Sequence, residues 1–377
     1  MDQGQKNIID LFCGCGGFSL GAHLAGFNTV LAVDIDPILS SAFAVNFPHS
    51  KLTHFDLAKT SGKEILEASG NQKIFGITGG PPCQGFSTMG RRDNNDPRNK
   101  LIGHFLEQVK DIEPSFFVME NVPGLISGMM REKLEKQMKT ISEHYSVIGP
   151  TMVNASGLGA ATKRQRVIVI GYNPREFKAF TEKDILALHS QELTSVRDAI
   201  GDLPPPLDCE EGDYGWTKYD GRRRMSEYAR NAREIPSNGC GWDMAIEKLK
   251  QGHVSGLMNT VHSKEIMKRY ASLYPGSTDS ISKSYKLDWE GQCPTLRAGT
   301  GSDRGSFQAV RPIHPDQGRV ITVREAARLQ GFPDWFVFHP TKWHSFRMIG
   351  NSVSPHLAKK ILKFIRGRNN NSLLDVA

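Results

Sequence analysis

The stretch that decides the reading is Ile74-Phe75-Gly76-Ile77-Thr78 followed by Gly79-Gly80-Pro81-Pro82-Cys83-Gln84-Gly85-Phe86-Ser87. The first five residues form a short apolar run, the pattern of a buried strand. Pro81 and Pro82 have no amide hydrogen to give a sheet ladder, so the chain must leave the sheet there. Cys83 is therefore expected on a stiff loop at the carboxyl end of a strand. Open α/β sheets gather ligands and chemistry at those ends. A thiol held there is a candidate nucleophile. The plainer alternative is a structural cysteine, since free thiols are commonly buried as small apolar groups.

The sequence on either side favours the first reading. Strand and helix patterns alternate through the first half. Asn7–Phe12, Thr29–Val33, a third strand ending at Asp56, Ile74–Thr78, Phe116–Met119 and Arg166–Ile170 read as strands. Helices are expected near 18–26, 37–46, 99–112 and 131–143. Such βα repetition implies a parallel sheet with helices on both faces. Acidic or reactive residues recur where strands finish: Asp34, Asp56, Cys83 and Glu120.

Composition sets the outer bounds. The 377 residues are 38% hydrophobic and 23% charged, which suits a globular chain with a real core. No run approaches the eighteen apolar residues of a membrane span. Met1–Lys6 has no apolar signal core. Six cysteines without CxxC spacing favour neither zinc nor disulfides, and point to a reducing cytoplasm. The net charge is +7, and residues 293–377 alone hold 13 Lys+Arg against 5 Asp+Glu. Nine of those thirteen are arginine, whose planar fork suits phosphates and base edges. Nucleic acid is the expected partner.

After about residue 175 the pattern breaks. Pro204-Pro205-Pro206 and scattered Gly, Asp and Trp suggest a second, loop-rich domain, with helices near 243–250, 263–273 and 323–330. Arg222-Arg223-Arg224, Arg230 and Arg233 make a local basic cluster. Ser354–Arg366 reads as a final amphipathic helix through Leu357, Ile361, Leu362 and Ile365. Asn369-Asn370-Asn371 reads as a frayed tail.

Asp10-Leu11-Phe12-Cys13-Gly14-Cys15-Gly16-Gly17-Phe18 turns from the first strand into a helix. Its glycines admit a close ligand, but neither GxGxxG nor a P-loop lysine is present. A nucleoside without a phosphate cradle is the better fit. Asp34 is placed to accept from ribose hydroxyls, and Asp56 from an adenine amino group. Arg164 and Arg166 alternate to one face of a strand, aimed at a site rich in acids.

These elements together resemble the DNA (cytosine-5)-methyltransferases of the bacterial modification type. The resemblance runs in order through Asp10–Gly17, Val33–Asp36, Asp56, Gly80–Ser87, Glu120-Asn121-Val122, Arg164–Gly171, Pro294–Arg297, Arg328–Pro333 and Gly350–Val353. It implies a doubly wound, mainly parallel, Rossmann-like methyltransferase sheet with a smaller target-recognition domain. The expected division is 1–180 catalytic, 181–335 target recognition and 336–377 returning to the catalytic domain.

The resemblance also implies roles. Cys83 would add to carbon 6 of a flipped-out cytosine, Glu120 would hold ring nitrogen 3, and Arg164 and Arg166 would brace them. S-adenosyl-L-methionine would be the methyl donor, leaving S-adenosyl-L-homocysteine. Phe12, Gly14, Gly16, Gly17, Asp34, Ile35, Asp56, Leu57, Pro82, Leu101, Asn351, Ser352 and Val353 would hold it, the last three near its methionine end. Gln84, Ser87 and Arg98, with Arg91 and Arg92, would lie on the loop that closes over double-stranded DNA. Thr295 and Arg297 would stand on the phosphate side. No metal is implied. A monomer is expected, with a cognate restriction endonuclease as a possible partner. Thr162 departs from the family, where many relatives have Gln. The tRNA-methylating branch carries a Cys-Phe-Thr element. Here Cys209, Cys240 and Cys293 are followed by Glu, Gly and Pro, which favours DNA. A non-catalytic DNA-binding relative is disfavoured by the intact Cys83 and Glu120.

Overall fold

The structure is a computed structural model that describes residues 6–82, 100–208, 213–236, 239–298 and 311–370. Cys83, Gln84, Ser87, Arg91, Arg92, Arg98, Cys209 and Arg304 lie outside the described residues.

Eight strands open the chain: β1 (Asn7–Leu11), β2 (Asn28–Val33), β3 (Lys51–Thr53), β4 (Gly76–Gly79), β5 (Phe116–Asn121), β6 (Ser146–Asn154), β7 (Thr162–Lys163) and β8 (Gln165–Tyr172). Seven of them form one sheet in the order β3-β2-β1-β4-β5-β8-β6. The first five strands pair in parallel. The sheet is mainly parallel, as expected, with the exception at one side, where β8 is antiparallel to both β5 and β6. Only a 3-10 turn at Ala155–Leu158 and the two residues of β7 separate β6 from β8, with no α-helical crossover, so the chain doubles back antiparallel. The third strand also stops earlier than expected, at Thr53. Asp56 instead opens a turn in which its carbonyl accepts from the amides of Lys59 and Thr60.

Helices α1 (Gly17–Leu24), α2 (Ser41–Asn46), α3 (Gly62–Ala68), α4 (Leu101–Ile112) and α5 (Met129–Ile141) link the early strands. Side chains leave a strand alternately to its two faces, and the core divides accordingly. Ile8, Val118, Ile168 and Ile170 enter one layer with Phe18 and Ala22 of α1. Ile9, Leu11, Phe117, Met119, Val167 and Val169 enter the other, with Ile102, Phe105 and Val109 of α4.

The remaining elements are α6 (Glu182–Leu186), α7 (Val196–Ile200), β9 (Thr217–Lys218), α8 (Glu227–Ala232), α9 (Asp243–Lys250), β10 (His253–Val254), α10 (Lys264–Ser272), β11 (Cys293–Pro294), α11 (Val323–Gln330), α12 (Lys342–Asn351) and α13 (Pro355–Arg368). Their shortness matches the irregular sequence after 175. Phe43 and Phe47 from the α2 region share a buried cluster with Phe332, Trp335 and Phe336. The two regions therefore meet through a continuous core.

α13 returns to the first region, as the family resemblance implies, and its amphipathic face is buried there. Leu357, Ile361, Leu362 and Ile365 are all fully buried. A side-chain carbon built on Gly21 of α1 would stand 2.3 Å from Ala358 Cβ, so only glycine permits this approach. The expected frayed tail is instead pinned at its start. Asn369 is buried, Arg368 O accepts from the Lys178 amide, and the Asn370 amide donates to Glu176 O. Backbone pairing with 176–178 is a signal that side-chain composition does not carry. Among the described residues, no helix is long and apolar enough to cross a membrane.

Candidate active site

The strand order reverses between β1 and β4, since β1 leads to β2 on one side and pairs β4 on the other. Crevices form where the order switches. The glycine-rich turn leaves β1 at that point. Phe12 adopts φ 60°, a left-handed backbone rare for a bulky residue. Such strain persists only where the surroundings enforce it, and it clusters at ligand sites. Gly14 follows at φ 50° with open space where a side chain would stand. Gly16 and Gly17 are tight instead. A carbon on Gly16 would lie 2.6 Å from the Phe47 ring, and one on Gly17 only 2.1 Å from Ser352 Oγ.

Asp34 holds this turn. Its Oδ2 accepts from the Gly14 amide at 2.8 Å and its Oδ1 from the Asp36 amide at 2.9 Å. Burial raises the Asp34 pKa, and these two hydrogen bonds oppose that. Each oxygen keeps a second lone pair, so two ligand hydroxyls can still be bound. Ile35 beside it is 63% exposed, a large apolar side chain left to face a ligand or water. Asp56 is half-buried, ion-paired to Lys59 at 3.4 Å. The neighbouring Leu57 is buried and its carbonyl accepts from Gln108 Nε2.

Beneath the turn lies a residue that the sequence reading did not single out as functional. Asp10 is buried and accepts from the Ser19 amide and hydroxyl and from Thr78 Oγ1. Burial, only partly offset by those bonds, pushes its pKa up to about 7. Asp10 ties the first turn of α1 to β4 and so fixes the glycine turn from below.

The second half of the site forms at the ends of β4 and β5. Asn121 Nδ2 donates to Pro81 O at 2.8 Å, which fixes the exit of the chain from β4. A carbon on Gly80 would lie 3.6 Å from Glu120 Oε2, so the segment leading to Cys83 passes directly over Glu120. Glu120 Oε1 is 2.7 Å from Arg166 Nε in a buried ion pair. The contact is ionic without hydrogen-bond alignment, so Oε1 has no aligned donor among the described residues. Arg164 is nearly fully buried and donates through Nη1 to Leu296 O at 3.2 Å. Its Nε has no partner among the described residues. Burial first, then the like charge of Arg166, pushes its proton affinity well down, and Glu120 opposes both. Thr295 Oγ1 donates to Lys163 O at 2.6 Å, and Arg297 is exposed two residues on.

The C-terminal turn closes the same region. Ser352 and Val353 are buried against Gly17, while Asn351 is exposed at the end of α12. Pro82 and Leu101 are both half-buried.

The profile of the C-5 cytosine-specific DNA methylases matches residues 6–367. The chain belongs to this family. It is 40% identical over 364 residues to the Type II methyltransferase M.XorII of Xanthomonas oryzae pv. oryzae, across 94% of this chain and 82% of that one. It is 32% identical over 391 residues to M.DdeI of Desulfomicrobium norvegicum, across 95% and 88%. An E. coli prophage chain described as a DNA modification methyltransferase superposes with TM-score 0.85 at 41% identity, covering 96% of this chain and 99% of that one. The Schizosaccharomyces pombe Dnmt2 methyltransferase shares the fold at 15% identity and TM-score 0.60. The protein is thus a DNA cytosine-5 methyltransferase that uses S-adenosylmethionine and a catalytic cysteine.

In this methyltransferase the charge count of the last segment needs correction. Arg319, Arg324 and Arg328 are buried and held internally, by Glu325, by Ser255 and by Asp202 with Asp334. They are structural cations that a sequence count cannot separate from surface ones. Arg233 is likewise paired to Asp202 and lies over the Tyr219 ring at 3.5 Å. Arg222 is paired to Asp220 at 3.1 Å, whereas Arg223, Arg224 and Arg230 are exposed. The contact of Arg164 with the Leu296 carbonyl had no signal in the sequence, because its acceptor is backbone.

Proposed function

We propose that Cys83 is the nucleophile and that Glu120, Arg164 and Arg166 form the polar wall against which the target cytosine is held. The observation that carries this reading is the buried Glu120–Arg166 ion pair, with Arg164 beside it, under the segment that leads to Cys83. Carbon 5 of cytosine is a weak nucleophile. Addition of the Cys83 thiolate to carbon 6 turns it into an enamine carbon able to take a methyl group. Negative charge then builds at ring nitrogen 3. The Glu120 carboxyl group delivers a proton to that nitrogen as the charge builds, Arg166 pairs with the carboxylate left behind, and the proton returns to Glu120 when Cys83 leaves. A base then removes the carbon-5 proton and Cys83 departs.

S-adenosylmethionine supplies the methyl group when bound. The donor set suits it. Asp34 takes the ribose hydroxyls, Phe12, Ile35 and Leu57 give apolar surface to the adenine, and Asp56 accepts from its amino group. Gly14, with open space at its side-chain position, lets it approach the backbone, while Gly16 and Gly17 shape the turn by packing against Phe47 and Ser352. Pro82 and Leu101 line the pocket, and Asn351, Ser352 and Val353 lie towards the methionine end.

On the DNA side we assign Gln84, Ser87 and Arg98 to the loop over the duplex, and Thr295 and Arg297 to phosphate contacts. Residues 1–180 and 336–377 would then be catalytic and 181–335 would read the target. We place the enzyme in the cytoplasm as a monomer. The Type II designation of its relatives supports a cognate restriction endonuclease.

The test is a duplex carrying 5-fluorocytosine at the target, whose fluorine cannot be eliminated. The full chain should form a stable adduct mapped to Cys83, and Cys83→Ala should form none while still binding DNA. Appreciable turnover by Cys83→Ala would falsify the assignment.

A further inference from the structure

Every residue of α11 is buried, and most of its polar side chains turn towards the second region. Arg324 donates to Ser255 O and Oγ. Arg328 reaches Asp202 and Asp334, and its carbonyl accepts from the Tyr228 hydroxyl. Gln330 turns elsewhere. It is fully buried, and its Nε2 donates to Ser352 O at 3.0 Å. Its own carbonyl accepts from Ser354 Oγ at 2.9 Å. The helix ends at once in Gly331, at φ 103°. One residue therefore holds both ends of the Ser352–Ser354 turn.

That turn packs against the glycine loop. A carbon on Gly17 would meet Ser352 Oγ at 2.1 Å and Val353 O at 2.2 Å. The other end of the loop is held separately, by Asp34 at the Gly14 amide. The loop thus has one end set by an acid suited to ribose and another set by the turn that Gln330 braces. A displaced turn would disturb the second end and leave the first in place.

We propose that Gln330 is a positioning residue for the cofactor, fixing the wall that faces its amino-acid end without touching it. This rests on the cofactor placement given above. Gln330→Met keeps the length of the side chain and removes the donor, leaving Ser352 O unsatisfied in a buried setting.

The experiment is calorimetric titration of the full chain with two probes, S-adenosylhomocysteine and adenosine, the second lacking the amino-acid end. Gln330→Met should weaken S-adenosylhomocysteine by about tenfold, the scale of one lost buried hydrogen bond, and leave adenosine and duplex DNA affinity unchanged. Ser354→Ala, a milder change, should give the same split with smaller size. Asp34→Ala should weaken both probes. If Asp34→Ala does so while Gln330→Met and Ser354→Ala weaken both probes alike, or neither, the role of Gln330 is overturned. If Asp34→Ala leaves both probes unaffected, the cofactor placement itself is wrong and the proposal falls with it.

Discussion

Arg166 Nε and Glu120 Oε1 stand 2.7 Å apart on neighbouring strands that run in opposite directions. The antiparallel course of β8 is what makes the pair. Glu120 comes near the carboxyl end of β5, where parallel strands of this sheet deliver their chemistry. Arg166 comes at the start of β8, and only a reversed strand brings its start to that edge.

Removing one member of such a pair leaves a buried charge alone. Arg166→Ala should lower unfolding stability by about 3–5 kcal/mol and abolish transfer. Glu120→Gln keeps the shape and an oxygen for Arg166 to contact, so it should be destabilised less than Arg166→Ala, yet lose roughly 10²–10⁴-fold in single-turnover methylation, the range of a lost acid–base partner. Urea titration alongside rapid-quench assays separates the two effects. A Glu120→Gln enzyme of full activity would remove the carboxylate from the chemistry.

Glycine is required in the turn after β1 for two different reasons. Gly17→Ala must displace Ser352 or the Val353 carbonyl. Gly14→Ala meets open space and suffers only its left-handed backbone, a cost of about 1–2 kcal/mol. Both should weaken cofactor binding, and Gly17→Ala should lower the melting temperature further. The opposite ranking by thermal denaturation would contradict the packing described here.

Asp10 gives stability a pH dependence. Its folded pKa of about 7 lies above the ordinary 3.8. The folded state therefore holds a proton that the unfolded state has released between those values, and stability falls as pH rises through that window. His314 and His356, both pushed down to about 4 by burial, act in the opposite direction. The difference between wild type and Asp10→Asn isolates the aspartate. Wild type should lose stability relative to the variant from about pH 4 to 7 and no further above that. Melting curves across that range check it, and a constant difference would contradict a protonated Asp10.

Two arginines should respond differently to removal. Arg297→Ala should weaken cognate and scrambled duplexes alike and flatten the salt dependence by about one ion. Arg233 sits over Tyr219 and pairs with Asp202, so Arg233→Ala should destabilise the protein without changing which sequence is methylated. Binding titrations at several salt concentrations, with bisulfite sequencing of treated DNA, decide both. Altered target choice by Arg233→Ala would place it on the target-reading surface instead.

Much of this was legible before any coordinates. The short apolar strands, the glycine turn and the acids at strand ends placed β1, β2, β4 and β5, and the family resemblance implied the return of the last helix to the catalytic region. What escaped the sequence was set by backbone partners or by distance along the chain. The reversal of β8 depends on a return from β6 through a short 3-10 turn and β7 without an α-helical crossover, which no residue type announces. Asp56 looks like the other strand-end acids, yet the strand before it stops at Thr53. Arg324 and Arg328 look like surface cations until their acceptors, Ser255 and Asp202, come from far away in the chain. Helix α12 was missed because its apolar residues serve a core shared with both regions.

The packing of α13 on α1 has a consequence for synthesis. During translation the sheet, the glycine turn and Cys83 leave the ribosome long before residue 355. Until α13 arrives, the apolar flank that receives it stays open to water, and the Ser352–Ser354 turn that abuts Gly17 has not been made. A nascent chain is therefore unable to complete its cofactor loop, and methylation must await synthesis of the final helix.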